Sequence, residues 1–395
     1  MLPLLLTVLC AAPAQLPEDP GPFAVGWRNV LFQDQRFGQG NVDIRVYYPA
    51  VAAGQNAVAD PSGGPFPLVG FQHGWLGDAD GYDNLCTHLA SWGFVISSTD
   101  TETGLFPNTR EFAEDTRASL WWIEDQSATP GAWLEGMADP TAIWSALGHS
   151  MGGGTLSELI GVEPRVRNII GLQAADNSAG YGAMAAYSGA AYWIAGSVDN
   201  IVFPHTVHDW LERAQATSRR DLYWEVIGMG HGGCTDEVGT GDPLPGPEQH
   251  RLHRRLCTAL LRSEADGEED ALGTTLGAGA AGEPLEAESF CAEPPLWVVE
   301  GGASILVGAA ARSLGGSGIA WSLDLGNYST PYGNLGFAPA SAVPAFFGNA
   351  GFDGVVETVI PPEPAWVGRT VGFAAFAAGA GRLPRLSRTA LVDYP

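Results

Sequence analysis

The sequence contains no lysine: all 19 basic residues are arginine, set against 44 acidic ones, and the formal net charge is −25. The missing lysine reads as a coding bias and not as a functional signal, but the shortage of positive charge has consequences. An acidic surface repels phosphate backbones and anionic lipid, so no nucleic-acid partner is expected. It also disfavours strongly anionic substrates unless a local arginine cluster overrides the field. Long apolar runs are missing as well. Nothing approaches the roughly 18 apolar residues of a membrane helix, so no transmembrane span is expected. Cysteine is scarce, five in all, and no C-x-x-C pair occurs. That absence argues against a zinc knuckle, and no metal is expected.

What is present points to a folded, exported, two-domain chain. Hydrophobic residues make up 45% of 395 residues and charged ones only 16%, enough for a large core. Residues 1–14, MLPLLLTVLCAAPA, form a short apolar stretch ending in Ala-Pro-Ala, which suits a signal peptide and is too short to span a bilayer. Beyond Cys10, the four cysteines Cys86, Cys234, Cys257 and Cys291 permit two disulfides in an exported protein. One bridge is expected to tie the segment just after His231 to the helix or tail that follows.

From about residue 41 to 262, short apolar runs alternate with helical stretches. Strands are predicted at 42–48, 67–72, 94–98, 142–147, 169–173, 191–196 and 222–227. Helices are predicted at 84–91, 109–126, 152–160, 205–216 and 247–261. Several of the runs are continuously apolar, which is how strands buried on both faces read. The alternation implies a doubly wound, mostly parallel α/β sheet over residues 20–262. Residues 263–290 shift to Ala, Gly and Glu, as a flexible linker or a short acidic helix packed on the first domain. Residues 291–395 consist of short β-like runs broken by Gly and Pro, and predict an all-β, sandwich-like accessory domain.

The sharpest signal is Gly148-His149-Ser150-Met151-Gly152, preceded by the strand AIWSAL and followed by Gly153 and Gly154. A serine between glycines at a strand-to-helix turn is a nucleophile elbow: the strained backbone exposes the hydroxyl, and only small flanking residues let strand and helix approach. A serine hydroxyl needs a base, and in this arrangement the chain order is Ser, then acid, then His. Asp199 follows the apolar strand AAYWIAG in GSVDN, and His231 follows LYWEVI in GMGHGG. Both fall on loops at the carboxyl edge of the sheet. His231 is assigned as general base, with Asp199 orienting it and Asp176, which also follows a strand, as the rival acid.

The remaining histidines and acids read as structural. Asp209 sits inside a predicted helix; His205 and His208 lack matching carboxylates for a metal and suit a helix start; His250 and His253 read as the solvated face of QHRLHRRL; His149 points away from the chemistry. The oxyanion needs two backbone N–H donors. Met151, next after the nucleophile, supplies one, and Trp75 in Gly70-Phe71-Gln72-His73-Gly74-Trp75 supplies the other, with His73 supporting the loop. Trp75, Met151 and Phe203 are expected to line the substrate cleft, which offers no arginine clamp.

In order, GFQHGWLG, LASWGFVISSTDT, DTRASLWWIEDQ, ALGHSMGGGTLSEL and WIAGSVDNIVFP resemble bacterial polyester hydrolases of the cutinase type, close to dienelactone-hydrolase-like and platelet-activating-factor acetylhydrolase-like enzymes. The resemblance implies an α/β-hydrolase fold, ester hydrolysis without cofactor, an acid at Asp199 and oxyanion donors at Trp75 and Met151. Such polyester hydrolases carry a Trp soon after the strand that follows the elbow helix, whereas this chain reads LQAADNSAG. The expectation is a secreted or cell-surface serine esterase acting on small-molecule or polymeric esters, with surface attachment through the C-terminal domain. A lipid acyl- or acetylhydrolase or an amidase on the same triad is the alternative within the class. A non-catalytic binding or adhesion protein on a hydrolase scaffold is the alternative outside it.

Overall fold

The computed structural model describes residues 15–394 except 239–240, 292, 302–303, 311–315, 331–332, 351–354, 362–365, 368, 379–384 and 388. The expected signal peptide, 1–14, lies outside the described residues. A ten-stranded sheet organises the first two thirds of the chain. Its strands are β1 (Ala24–Asp34), β2 (Gly40–Ala50), β3 (Gly54–Gln55), β4 (Leu68–Gln72), β5 (Val95–Thr99), β6 (Trp144–His149), β7 (Val166–Leu172), β8 (Ala190–Gly196), β9 (Arg220–Val226) and β10 (Leu285–Ser289). They run in the order β10-β9-β8-β7-β6-β4-β5-β2-β1-β3. The six strands from β4 to β9 are parallel, while β2 joins β5 and β10 joins β9 antiparallel.

The helices are α1 (Asp83–Ser91), α2 (Thr109–Ala128), α3 (Met151–Val162), α4 (Tyr181–Ala186), α5 (Pro204–Ala214) and α6 (Gly246–Leu261). Alternation within the parallel strands shows why both faces are covered. In β8, Ala191, Trp193 and Ala195 enter one core with Leu120 of α2, Leu156 of α3 and Trp210 of α5. Its Ala190, Tyr192 and Ile194 enter the other core with Leu89 of α1 and Leu256 of α6. A strand with no solvent face carries no polar alternation, which is why these segments read as continuous apolar runs. Helix starts follow local chemistry: Asn108 caps α2 by accepting from the Arg110 and Glu111 amides, and Pro204 opens α5.

The segment after α6 is well anchored. A π-helical turn (Arg262–Asp266) and 3₁₀ segments (Glu269–Thr274, Gly277–Ala280) lead into β10, an edge strand of the main sheet that its polar LEAES sequence does not announce. Buried Arg220 pairs with Glu264 at 2.9 Å and also with Glu269.

Beyond it the described chain is all antiparallel: a three-stranded sheet of β11 (Leu296–Gly301), β12 (Ser304–Ala310) and β17 (Val355–Ile360). A five-stranded sheet holds β13 (Gly316–Ser322), β16 (Val343–Asn349), β18 (Arg369–Ala378), β19 (Arg385–Leu386) and β20 (Ala390–Tyr394), beside a hairpin of β14 (Leu325–Thr330) and β15 (Gly333–Phe337). Val298 and Val307 of the three-stranded sheet share one core with Ile319 and Phe373 of the five-stranded one. Trp297 points the other way, into the core beneath α1 and α6.

Two expectations need correction. Cys86, Cys234, Cys257 and Cys291 are buried free thiols, so the expected bridge after His231 is absent. They pack as small apolar groups in the core beneath α1 and α6, where burial raises the thiol pKa and suppresses the reactive thiolate. His253 is also not solvated. His250 and Arg254 of α6 are half-buried, His253 is buried against Gln173, and Arg251 and Arg255 fold back onto Glu18 and Glu283.

Candidate active site

Strand register brings the candidate residues together. Gln72 of β4 pairs with Gly148 of β6, so the loop after β4 lies beside the turn that carries Ser150. Gly196 of β8 pairs with Val226 of β9, so the loops bearing Asp199 and His231 leave the sheet side by side. All four loops emerge at the carboxyl edge of the parallel strands, where doubly wound sheets place their sites.

Ser150 sits between β6 and α3 at φ 53° and ψ −117°, a conformation L residues rarely adopt. The surrounding glycines make room for it. A Cβ on Gly148 would lie 2.4 Å from the Gly152 oxygen, and one on Gly152 would lie 2.3 Å from the Gln72 oxygen. The Ser150 amide donates to Leu172 O (2.9 Å), and its carbonyl accepts from Gly154 and Ala175. The turn is thereby tied to the neighbouring strand and to its own helix.

Ser150 Oγ lies 2.9 Å from His231 Nε2, and His231 Nδ1 lies 2.7 Å from Asp199 Oδ2. The Asp199 side chain is fully buried. Its Oδ1 accepts from the Ile201 and Val202 amides, both at 2.9 Å, which leaves Oδ2 for the imidazole. The His231 loop is braced by Asp242, whose carboxylate accepts from the Gly230 amide (3.1 Å) and from Gln249. Sequence reasoning missed Asp242, which lies in a Gly- and Pro-rich loop with no local pattern to mark it.

Met151 opens α3, so its N–H is among the donors a helix leaves unmatched at its start. Trp75 follows Gly74, where an added Cβ would lie 3.3 Å from that of Ser150. Its half-exposed indole donates to Leu105 O at 3.2 Å, linking the loops after β4 and β5. Phe203 is half exposed and stacks on His205 (5.6 Å between centroids). His73 is buried, with Nε2 2.7 Å from Thr101 O.

The rival residues go elsewhere. Exposed Asp176 receives the Tyr181 hydroxyl, Asp209 is exposed on α5, and His208 bonds Glu288 at 2.8 Å. His250 reaches Thr235 O. Among the described residues no group of three or more His, Cys, Asp or Glu is arranged to hold a metal ion. His149 differs from expectation. It does not turn away from the chemistry: its ring centroid lies 4.8 Å from that of His231, and Nε2 lies 2.9 Å from the His231 carbonyl oxygen.

A parallel sheet wound on both faces, with a serine on a strained strand-to-helix elbow within reach of a histidine, defines an α/β-hydrolase. The chain belongs to the PET hydrolase-like family, whose model matches residues 11–211, just over half its length, and it is in general terms a carboxylic-ester hydrolase. Ser150 and Asp199 lie inside the matched stretch, and His231 lies beyond it. No curated protein matches the chain.

Proposed function

We propose that this protein is an exported serine esterase that cleaves uncharged carboxylic esters, small or polymeric, through an acyl-enzyme on Ser150. The observation that carries the reading is the unbroken line Ser150 Oγ, His231 imidazole, Asp199 carboxylate, at 2.9 and 2.7 Å. In the first half-reaction His231 Nε2 takes the Ser150 proton as Oγ bonds the ester carbonyl carbon. The oxyanion that forms is held by the Trp75 and Met151 amides, and Asp199 stabilises the imidazolium through Nδ1. Collapse breaks the bond to the alkoxy oxygen, which leaves as alcohol with the proton from Nε2. Water, deprotonated by the same nitrogen, then releases the acid and restores Ser150.

The rim supports the substrate class. Trp75, Leu105, Phe106, Ile201 and Phe203 are exposed large apolar side chains on loops at the carboxyl edge. Apolar groups gathered around a cleft favour acyl chains or aromatic ester units over ions. Export rests on the composition of residues 1–14. The two antiparallel C-terminal sheets with their shared core support a sandwich-like accessory unit serving in surface attachment or stability.

A panel of p-nitrophenyl esters of increasing chain length, matched anilides and a polyester film tests the substrate class. Ester turnover should exceed anilide turnover throughout. Anilide cleavage without ester cleavage would reject the esterase reading in favour of an amidase.

A further inference from the structure

Ser150, His231 and Asp199 leave one buried polar line beneath the site unexplained. His149 is almost wholly buried, and burial, reinforced by the neighbouring His231, pulls its pKa down to about 3, so the ring is neutral. A neutral imidazole has one donor and one acceptor. Nε2 faces the His231 carbonyl at 2.9 Å, and a carbonyl only accepts, so the proton is on Nε2. Nδ1 must then accept, and the Tyr82 hydroxyl stands 2.8 Å away to donate. The Tyr82 oxygen in turn accepts from the Gly74 amide at 2.9 Å. Every proton in the line has one consistent direction, from Gly74 N–H through Tyr82 and His149 to the His231 carbonyl.

The two ends of this line are the two halves of the proposed machinery. Gly74 directly precedes Trp75, whose amide is the oxyanion donor, and His231 is the base. The packing leaves no slack: a Cβ on Gly74 would lie 3.0 Å from His149 Nδ1 and 3.3 Å from both Tyr82 Oη and the Ser150 Cβ. Tyr82 is itself fixed against Phe71 of β4 (4.7 Å between centroids). We infer that Tyr82 and His149 are positioning residues that lock the oxyanion loop and the His231 backbone to one another beneath Ser150. This inference rests on Ser150 and His231 being the reacting pair. Neither residue touches substrate; they fix where Nε2 of His231 and the N–H of Trp75 stand relative to Oγ.

Chain geometry supplies the test. In His149→Asn the side-chain oxygen still accepts from Tyr82, but nothing reaches the His231 carbonyl. In His149→Gln the amide extends as far as Nε2 did and can donate there. Tyr82→Phe removes a single hydroxyl. These variants and the double variant Tyr82→Phe/His149→Asn are compared with wild type and Ser150→Ala on one p-nitrophenyl ester, with fluorophosphonate titration counting competent sites. Misplacement of catalytic groups lowers kcat and leaves KM nearly unchanged, by about tenfold for Tyr82→Phe and about a hundredfold for His149→Asn. His149→Gln should recover about tenfold over His149→Asn, the worth of one neutral hydrogen bond. The double variant should be little worse than His149→Asn, because both changes cut one line.

Equal kcat in His149→Asn and His149→Gln, or kcat per titrated site within about twofold of wild type for Tyr82→Phe and His149→Asn, would overturn the inference. An inactive wild type, or an active Ser150→Ala, would instead overturn the serine-hydrolase reading beneath it.

Discussion

Ser150 holds a backbone conformation that costs on the order of 1–3 kcal/mol, and it persists because the contacts around it permit no other path. Glycine at 148 and 152 is a matter of space: the elbow helix starts so close to β4 and β6 that a methyl group would overlap main-chain oxygen. Gly152→Ala should therefore cost about 2–3 kcal/mol, read as a lower urea midpoint at unchanged slope. An unchanged midpoint would mean that the helix can shift freely. Asp199 contributes differently. With Oδ1 committed to two amides, Oδ2 is fixed on His231 Nδ1 and sets the tautomer that leaves Nε2 free to accept. Asp199→Asn should keep the fold and lower kcat by about 10³–10⁴-fold, with near-normal KM. A loss below about tenfold would shift the acid's role to another residue.

At the scale of elements, the C-terminal sheets and the hydrolase share side chains. Trp297 of β11 is fully buried in the core beneath α6, and a Cβ on Gly273 or on Gly308 would lie 2.7 or 2.2 Å from its indole. Glu269 and Asp270 accept from the Leu296 and Val298 amides at 2.9 and 2.8 Å. Trp297→Ala should cost about 3–5 kcal/mol and lower the midpoint for loss of esterase activity together with that for loss of structure. A hydrolase midpoint that stays put would show that the accessory unit folds independently. The same scale explains what was legible beforehand. The strands of the parallel sheet and the helices between them stand out because each strand carries an apolar run, such as LVGF in β4 or AAYWIAG in β8, and each helix is punctuated by Gly, Pro or a capping residue. The outer strands β1 and β10, near or at the two ends of the sheet, do not, since AVGWRNVLFQD and LEAES are half exposed and mix charge with apolar residues. Ser150, Asp199 and His231 are legible because each closes an apolar run on a small-residue loop. Tyr82, His149 and Asp242 are not, because their roles arise from contacts between loops 67 to 82 residues apart, or from a bend with no periodicity.

At the scale of the whole molecule, acid should be destabilising. His88, His149 and His253 are buried, and desolvation holds them neutral with pKa values lowered to about 4, about 3 and about 4. Each would bind a proton below pH 6.5 once unfolded, so the stability of the neutral form is complete above 6.5. It drains by up to about 1.4 kcal/mol per pH unit per imidazole as pH falls toward 4. Asp115 and Asp266, raised to about 6 mainly by burial, and Asp43 and Asp236, also raised by burial, act in the opposite sense, but Asp115 and Asp266 do so only once pH falls below about 6, after the loss from the histidines has begun. The Tm should fall from pH 7.5 to pH 5, and Asp115→Asn should steepen the fall; a flat or rising Tm would contradict the assignment.

Every functional role proposed for the site residues requires that Ser150 be a nucleophile activated by His231. The most direct measurement is labelling with a fluorophosphonate, followed by mass mapping of the adduct. Wild type should carry one adduct, on the peptide containing Ser150, while Ser150→Ala carries none and His231→Ala labels far more slowly. An unlabelled wild type, or equal labelling of Ser150→Ala, would contradict it.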